Sequence, residues 1–442
     1  MLIGMDANLV QLDRQYIWHP YTQAQTAPDP IPISHAKGSY LYTHDGKALL
    51  DLISSWWVNT LGHAHPVIAQ AIAQQAQTLE QVIFAGFTHL PAVKLAQALA
   101  EILPSGLTRT FYSDNGSTAI EVAFKMALQY WQNLNQPQRK HFIAFEGAYH
   151  GDTVGAMSAG ISSGFFDAYQ SLLFSVELVP FPATWQNDYE VAQKEAASLA
   201  ALEKLLTQYP DEIAGLIIEP LVQGAGGMRM CRPEFLQALA TRLKQANILL
   251  IFDEVMTGFG RTGQLFASDT AKVIPDIICL SKGLTAGFLP LSVTVCHEFI
   301  YQAFLDTRFE KSLVHGHSFT ANPLGCAAAL AALQVFQDEQ MLQKLALIHD
   351  WHSQGLALLR DHPAVSHIRQ MGTIAAFDLQ VVDAGYTSSI ATQLKTYFHE
   401  HGLLLRPLGN VVYLLPPYCI SEADLIRAYH IIRHALDTVY HA

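Results

Sequence analysis

Two apolar runs in this chain each end in a charge, and no other feature of the sequence constrains the fold as much. They are Ile248-Leu-Leu-Ile-Phe-Asp253-Glu254 and Ile277-Ile-Cys-Leu-Ser-Lys282-Gly283. Short, continuous apolar runs separated by helix-length intervals are strands buried on both faces. A lysine or an aspartate that closes such a strand must find a partner or do chemistry, because buried charges are seldom left alone. Successive strand side chains point to opposite faces, so only one of Asp253 and Glu254 can look into a given cleft.

Further runs of the same kind are His141-Phe-Ile-Ala-Phe, Ala214-Gly-Leu-Ile-Ile-Glu219 and Leu291-Ser-Val-Thr-Val. Between them, apolar residues recur at helical spacing from Pro91 to Pro104, from Ile120 to Trp131 and from Pro233 to Gln245. The predicted fold class is α/β, a mostly parallel central sheet with helices on both faces plus a smaller α+β domain. Residues 66–335 make the large domain. Residues 1–65 form an extended arm and part of the small domain, with strands Ser39–Thr43 and Ala48–Ile53 flanking an Asp45-Gly46 turn. Residues 336–442 complete the small domain, and Leu403–Arg406 and Val411–Leu414 are expected to form a hairpin around Gly409-Asn410.

Half of the 442 residues are hydrophobic and 14% are charged, enough for a large core and a sizeable subunit interface. A net charge of -12 gives no basic footprint for nucleic acid or an anionic membrane. The five cysteines are scattered and sit mostly in apolar runs, the mark of buried thiols in a reducing compartment. The N-terminus lacks the basic and apolar regions of a signal peptide, so a cytoplasmic location is expected.

An Asp and a Lys at the ends of two buried strands fit pyridoxal phosphate (PLP). Lys282 would hold the cofactor as a Schiff base and Asp253 would keep the pyridine nitrogen protonated, making the ring an electron sink. The alternative is a structural Lys–Asp pair. Ser113-Asp-Asn-Gly116-Ser117-Thr118 follows a strand and opens a helix, where free backbone N–H groups suit a phosphate, although the same residues are also ordinary caps. Glu146-Gly-Ala-Tyr149-His150-Gly151-Asp152 offers close backbone approach and an aromatic face, or else a capped turn with a core tyrosine. His63, His65, His150, His315 and His317 lack the spacing of a metal site, so no metal is expected. No nucleotide-binding glycine motif is present.

Taken together, Asp253 in Asp-Glu-Val, Lys282 in Ser-Lys-Gly, Gly116-Ser117, Ala148-Tyr149-His150-Gly151 and Gly316-His-Ser318-Phe-Thr320-Ala-Asn-Pro323 resemble the class III, fold-type I, PLP-dependent aminotransferases. The motifs occur in family order over residues 20–330. Trp18-His19-Pro20-Tyr21-Thr22, Ser55-Trp56-Trp57, Leu221-Val-Gln-Gly-Ala-Gly-Gly-Met-Arg229-Met230 and Arg406-Pro407 resemble the branch that aminates 8-amino-7-oxononanoate in biotin biosynthesis.

The resemblance implies a homodimer with shared active sites. Lys282, Asp253 and Tyr149 are then catalytic, with Tyr149 stacked on the ring. Gly116 and Ser117 bind the phosphate, Ser318 adds a phosphate contact from the neighbouring subunit, and His317 is cofactor-binding; His317-Ser318 stands where the family often has Pro-Thr. Tyr21, Trp56, Tyr149, Lys282, Gly316 and Arg406 shape the substrate site, with Arg406 meeting a carboxylate. S-adenosyl-L-methionine is the usual amino donor of this branch, and lysine serves in some relatives. An ω-amino-acid or ornithine-type transaminase, an aminomutase, and a carrier that keeps the pocket without turnover are the rival readings. A surface ion pair for Arg406, and core packing for one of the two tryptophans, are the alternatives at the residue level.

Overall fold

The computed structural model of the protein describes residues 2–160, 166–382, 384, 385, 388 and 390–440. The buried runs assemble into a seven-stranded sheet in the order Leu107–Ser113, Ser292–His297, Ile277–Leu280, Leu249–Asp253, Ile213–Ile218, His141–Phe145, Glu177–Val179. Ser292–His297 is antiparallel to both its neighbours, and the pairings from Ile277–Leu280 onward are parallel. Parallel neighbours need crossovers, and helices such as Val191–Gln208 and Pro233–Gln245 supply them.

The sheet is covered on both faces because its side chains alternate between two cores. Ile143, Phe145, Leu216, Ile218, Leu250 and Phe252 enter one. Phe142, Ala144, Ile217, Leu249 and Ile251 enter the other, where Ile120, Ala123, Phe124, Ala127 and Trp131 of the helix Gly116–Asn133 meet them. Each fully buried side chain of this kind contributes roughly 1.5–3 kcal/mol. Strand ends in such a frame are therefore fixed points. The alternation also sends Asp253 and Glu254 to opposite sides.

Near the N-terminus, Ile33–Lys37, Tyr40–Thr43 and Ala48–Asp51 form an antiparallel meander through the expected Asp45-Gly46 turn. Leu403–Leu404 then joins Ala48–Asp51 in parallel, so one sheet draws on both chain ends. Two expectations fail here. Leu2–Tyr16 is a helix rather than extended arm, and from Val10 to Gln15 its residues are ordinary helix formers with Pro20 lying beyond its end. The hairpin of Leu403–Arg406 with Val411–Leu414 does not form. Val411–Leu414 pairs instead with Ile374–Leu379, leaving a single Leu408–Val411 bridge at the turn. Pro407, without an N–H, cannot extend a ladder between the two segments. No helix among the described residues is long and apolar enough to cross a membrane.

Candidate active site

Asp253 ends its strand in near-complete burial. One carboxylate oxygen lies 2.7 Å from His150 Nδ1, and the other accepts the Val255 N–H at 3.0 Å. Lys282 follows the neighbouring strand at a positive φ of 42°. Its amine makes no hydrogen bond or ion pair with a described residue and lies 4.9 Å from the centre of the Trp57 ring. The structural Lys–Asp pair is thus absent. Burial pushes the Lys282 ammonium below the ordinary lysine range, and the Asp253 and Glu219 charges oppose that only in part.

Glu254 faces the other way. Its carboxylate accepts the Ala267 and Ser268 N–H groups at 2.6 and 2.8 Å, capping the short helix Ala267–Ala271. Burial pushes its pKa up to about 7. Glu219 is also pushed up to about 7 by burial, while it accepts the backbone N–H groups of Tyr149 and Gly224 at 3.1 and 2.9 Å.

The helix Gly116–Asn133 starts beside this floor with Asn115 as its cap. Thr118 N–H is taken by Asn115, but Gly116 and Ser117 N–H have no partner among the described residues. A Cβ at Gly116 would come within 2.7 Å of Val255, and one at Gly151 would run into the Ser117 hydroxyl. Unused N–H donors at a helix N-terminus, in a cradle too tight for side chains, suit a phosphate. A lysine without a partner and a buried, hydrogen-bonded aspartate suit the aldehyde and the ring nitrogen. The residues therefore fit pyridoxal phosphate.

Above the floor opens a cavity of about 1950 Å³, whose wall includes Lys282, Tyr149, Asp152, Tyr21, Trp56 and Arg406. That exceeds the roughly 300–1,000 Å³ of an ordinary small-ligand site and leaves room for a cofactor and a sizeable substrate. Asp152 accepts hydrogen bonds from Tyr21 at 2.7 Å and Tyr149 at 3.0 Å, and its own N–H donates to Ser117 Oγ at 3.2 Å. Burial, then the hydrogen bond with Tyr21, raises the Tyr149 pKa, so its hydroxyl stays protonated.

Trp56 is 45% exposed, meeting Tyr21 edge-on at 5.8 Å, and the Arg406 guanidinium lies 5.1 Å from its ring centre. Trp57 is core, donating to the Tyr413 hydroxyl at 3.0 Å. The two tryptophans part company as expected, though on a kinked turn and not an extended segment. Arg406 makes no hydrogen bond or ion pair with a described residue, so the surface ion pair is absent too. Lys395 lines the same cavity, its ammonium pushed down by burial and by the Arg406 charge.

Of the floor residues Lys282 reaches this cavity's wall and Asp253, Gly116 and Ser117 do not; Gly316, His317 and Ser318 are not on it either. In their loop Gln81 donates to the Ser318 carbonyl at 2.7 Å, and His317 lies 3.2 Å from His315 and 3.7 Å from the Asp114 carboxylate, two residues before Gly116. The other histidines are engaged separately: His63 with Asp51, His65 with Glu339, His150 with Asp253. Among the described residues no group of three or more His, Cys, Asp or Glu side chains could hold a metal ion. Sequence reasoning missed Asp152, which closes the quoted Tyr149 motif, and His150, weighed there only as a metal ligand. Glu219 could have been found as a third carboxylate closing a buried strand.

The model of the family described as aminotransferase class-III matches residues 21–436. This chain belongs to the class-III aminotransferases. The adenosylmethionine-8-amino-7-oxononanoate aminotransferase of Synechococcus elongatus is 55% identical to it over 96% of this chain and 99% of the relative. The enzyme of that name from Geobacter sulfurreducens is 40% identical over 93% and 94%. Among solved structures, the Methanocaldococcus jannaschii enzyme of the same name superposes with a TM-score of 0.91 at 34% identity, covering 98% and 99% of the two chains. An omega transaminase from Pseudomonas jessenii in complex with PMP also reaches 0.91, at 29% identity over 97% of each chain. The fold is that of a PLP-dependent transferase of fold type I, and pyridoxal phosphate is the cofactor of this aminotransferase.

Proposed function

We propose that this aminotransferase transfers the amino group of S-adenosyl-L-methionine to the ketone of 8-amino-7-oxononanoate, forming 7,8-diaminononanoate in biotin biosynthesis. The observation that carries the reading is the unpaired Arg406 guanidinium, held on Trp56 in the same cavity as Lys282. An aliphatic acceptor ending in a carboxylate needs an apolar wall and one cation, and Trp56, Tyr21 and Arg406 offer both. The 55% identity to a relative of that name supports the same assignment.

When bound, pyridoxal phosphate supplies the electron sink that lets the donor's α-proton leave. The chain's own residues do the rest. Lys282 holds the cofactor, and its lowered pKa makes the neutral amine available at Nζ to take up and return that proton. Asp253, fixed by His150 and the Val255 N–H, would pair with the pyridine nitrogen. Gly116 and Ser117 N–H would hold the phosphate, while Tyr149, tied to Asp152, would cover the ring. Two half-reactions on one site give ping-pong kinetics.

The active enzyme is a homodimer, located in the cytoplasm, in which each loop Gly316–Ser318 completes the other copy's phosphate site. Ile83, Phe87, Leu90, Val93 and Phe319 are all more than half exposed and follow Gln81 or Ser318 in sequence, which supports an apolar subunit contact there. Mixing an inactive Lys282 variant with an inactive Ser318 variant should restore part of the activity, and a fully active monomer would rule the shared site out. For the reaction itself, a donor screen with 8-amino-7-oxononanoate as acceptor decides: diamine from S-adenosylmethionine is expected. Diamine from lysine alone would change the donor, and no diamine from any donor would overturn the assignment.

A further inference from the structure

We propose that Asp51 is a positioning residue for substrate binding: its buried carboxylate holds the strained turn Ser54–Trp57 that sets Trp56 against Arg406 and Trp57 beneath Lys282. This rests on the substrate reading above only for its kinetic test.

The turn is an unusual piece of backbone. Ser54, Ser55 and Trp57 have positive φ values of 51°, 61° and 65°, and Ser55 combines its φ with a ψ of -95°. Non-glycine residues rarely adopt such angles, and they persist only where the surroundings over-determine them. Asp51 is fully buried at the end of the strand Ala48–Asp51, whose partner strands fix its position. One carboxylate oxygen accepts the Ile53 N–H at 3.1 Å, and the other accepts the Ser55 N–H at 2.7 Å and lies 2.9 Å from His63 Nε2. A carboxylate that takes two backbone N–H groups of one turn selects the rotation in which both point inward. Without it the Ile53 N–H would be buried and unmatched, and the part-buried Ser55 N–H would lose the acceptor that fixes its direction, leaving the backbone free to turn it toward the cavity.

The consequences reach the cavity through the two indoles. Ser54 Oγ anchors the turn to the Leu415 carbonyl at 2.7 Å, and Trp57 is pinned by Tyr413. The far side of the turn therefore stays in the core, and relaxation at Ser55 falls on Trp56. That ring carries the guanidinium of Arg406 and the edge of Tyr21. Asp51 itself is absent from the cavity wall, whereas Ser55 and Trp56 are on it. Its action on substrate passes through the backbone.

The test uses the cofactor-loaded protein with Asp51→Asn, alone and combined with Ser55→Gly. Asp51→Asn should raise the KM for 8-amino-7-oxononanoate about tenfold or more, since a misplacement near 1 Å can cost ~100-fold, with kcat changed less than about threefold. Adding Ser55→Gly, which tolerates the native angles without strain, should recover most of that loss. The Trp56 emission, taken as the difference between each background and its Trp56→Phe variant, should change in Asp51→Asn and return in the double variant. A wild-type KM and unchanged Trp56 emission in a folded Asp51→Asn protein would overturn the proposal. So would a raised KM that Ser55→Gly leaves untouched. If the Asn variant does not fold, Asp51→Glu, which keeps the acceptors but displaces them, carries the same comparison. Should the wild type fail to use 8-amino-7-oxononanoate, the substrate reading falls while the emission arm still decides the role of Asp51.

Discussion

The floor beneath the cavity and the cavity's rim are built in different ways. Asp253, Lys282, Gly116 and Ser117 stand at the ends of buried strands or at the start of the helix that covers them. Their positions follow from sheet register. Tyr21, Trp56 and Arg406 come from an N-terminal segment, a strained turn and the stretch after Leu403–Leu404, and are brought together by an aromatic contact between Tyr21 and Trp56 and a cation–π contact that joins Trp56 to the far end of the chain. A floor made of strand ends can keep one chemistry through large changes of sequence. A rim made of loops from both chain ends can be recut for another substrate, which is the usual division between scaffold and specificity loops. The comparison makes a kinetic demand: floor changes should act on kcat, rim changes on KM.

The largest effect belongs to Lys282→Ala. It removes both the attachment point and the proton carrier, so turnover should fall by at least the roughly 10²–10⁴-fold that one positioned proton-transfer group supplies. Borohydride reduction followed by mass spectrometry should find no cofactor attached to the variant, and attachment at another lysine would break the assignment. Asp253→Asn comes next. A neutral partner cannot hold the pyridinium charge, so kcat should drop about 100-fold or more, equal to about 2.7 kcal/mol of barrier, while the cofactor is still bound. Single-turnover absorbance changes measure this, and a near-wild-type rate would remove Asp253 from the floor.

Arg406→Ala tests the rim. Charge-assisted hydrogen bonds to a carboxylate are worth about 1.5–3 kcal/mol, so the KM for 8-amino-7-oxononanoate should rise about 10- to 100-fold with a smaller change in kcat. Donor half-reactions sharpen the result. If they are spared, the arginine serves the acceptor; if they suffer equally, it serves both carboxylates in turn.

The same division explains what could be read from the sequence. Period-two burial and charged strand ends expose the sheet, the helix Gly116–Asn133 and the pair Asp253 and Lys282, because local pattern and tertiary position coincide there. The bond of Asp152 to Tyr21 spans 131 residues, and the fit of Arg406 on Trp56 links opposite ends of the chain. No local period encodes either contact. The positive φ values of Ser54, Ser55 and Trp57 run against the propensities of those residues, so reading them as extended was bound to fail. The missing hairpin has a similar origin: Leu403–Leu404 has two possible partners, and the choice of Ala48–Asp51 depends on a strand more than three hundred residues away.

The smallest expected effect comes from the residue next to Asp253, and it isolates the floor from its frame. Glu254 shares the sequence motif but caps a helix on the other side of the sheet, so Glu254→Gln should leave kcat and KM close to wild type. An amide keeps one acceptor oxygen and turns its NH2 toward a backbone donor, leaving one buried group unmatched at about 1–3 kcal/mol. Thermal melting should detect that loss. The pH dependence has a definite sign. Burial raises the folded-state pKa of Glu254 to about 7 from an ordinary value of 4.5, so the folded protein holds this proton where the unfolded chain has released it. That contribution is fully present below pH 4.5 and is lost as the pH rises toward 7. Glu254→Gln should therefore flatten, without abolishing, the fall in stability across this window, because Glu219 is shifted the same way and remains. A variant with an unaltered pH slope but a lowered kcat would place Glu254 in the chemistry and erase the distinction between the two neighbours.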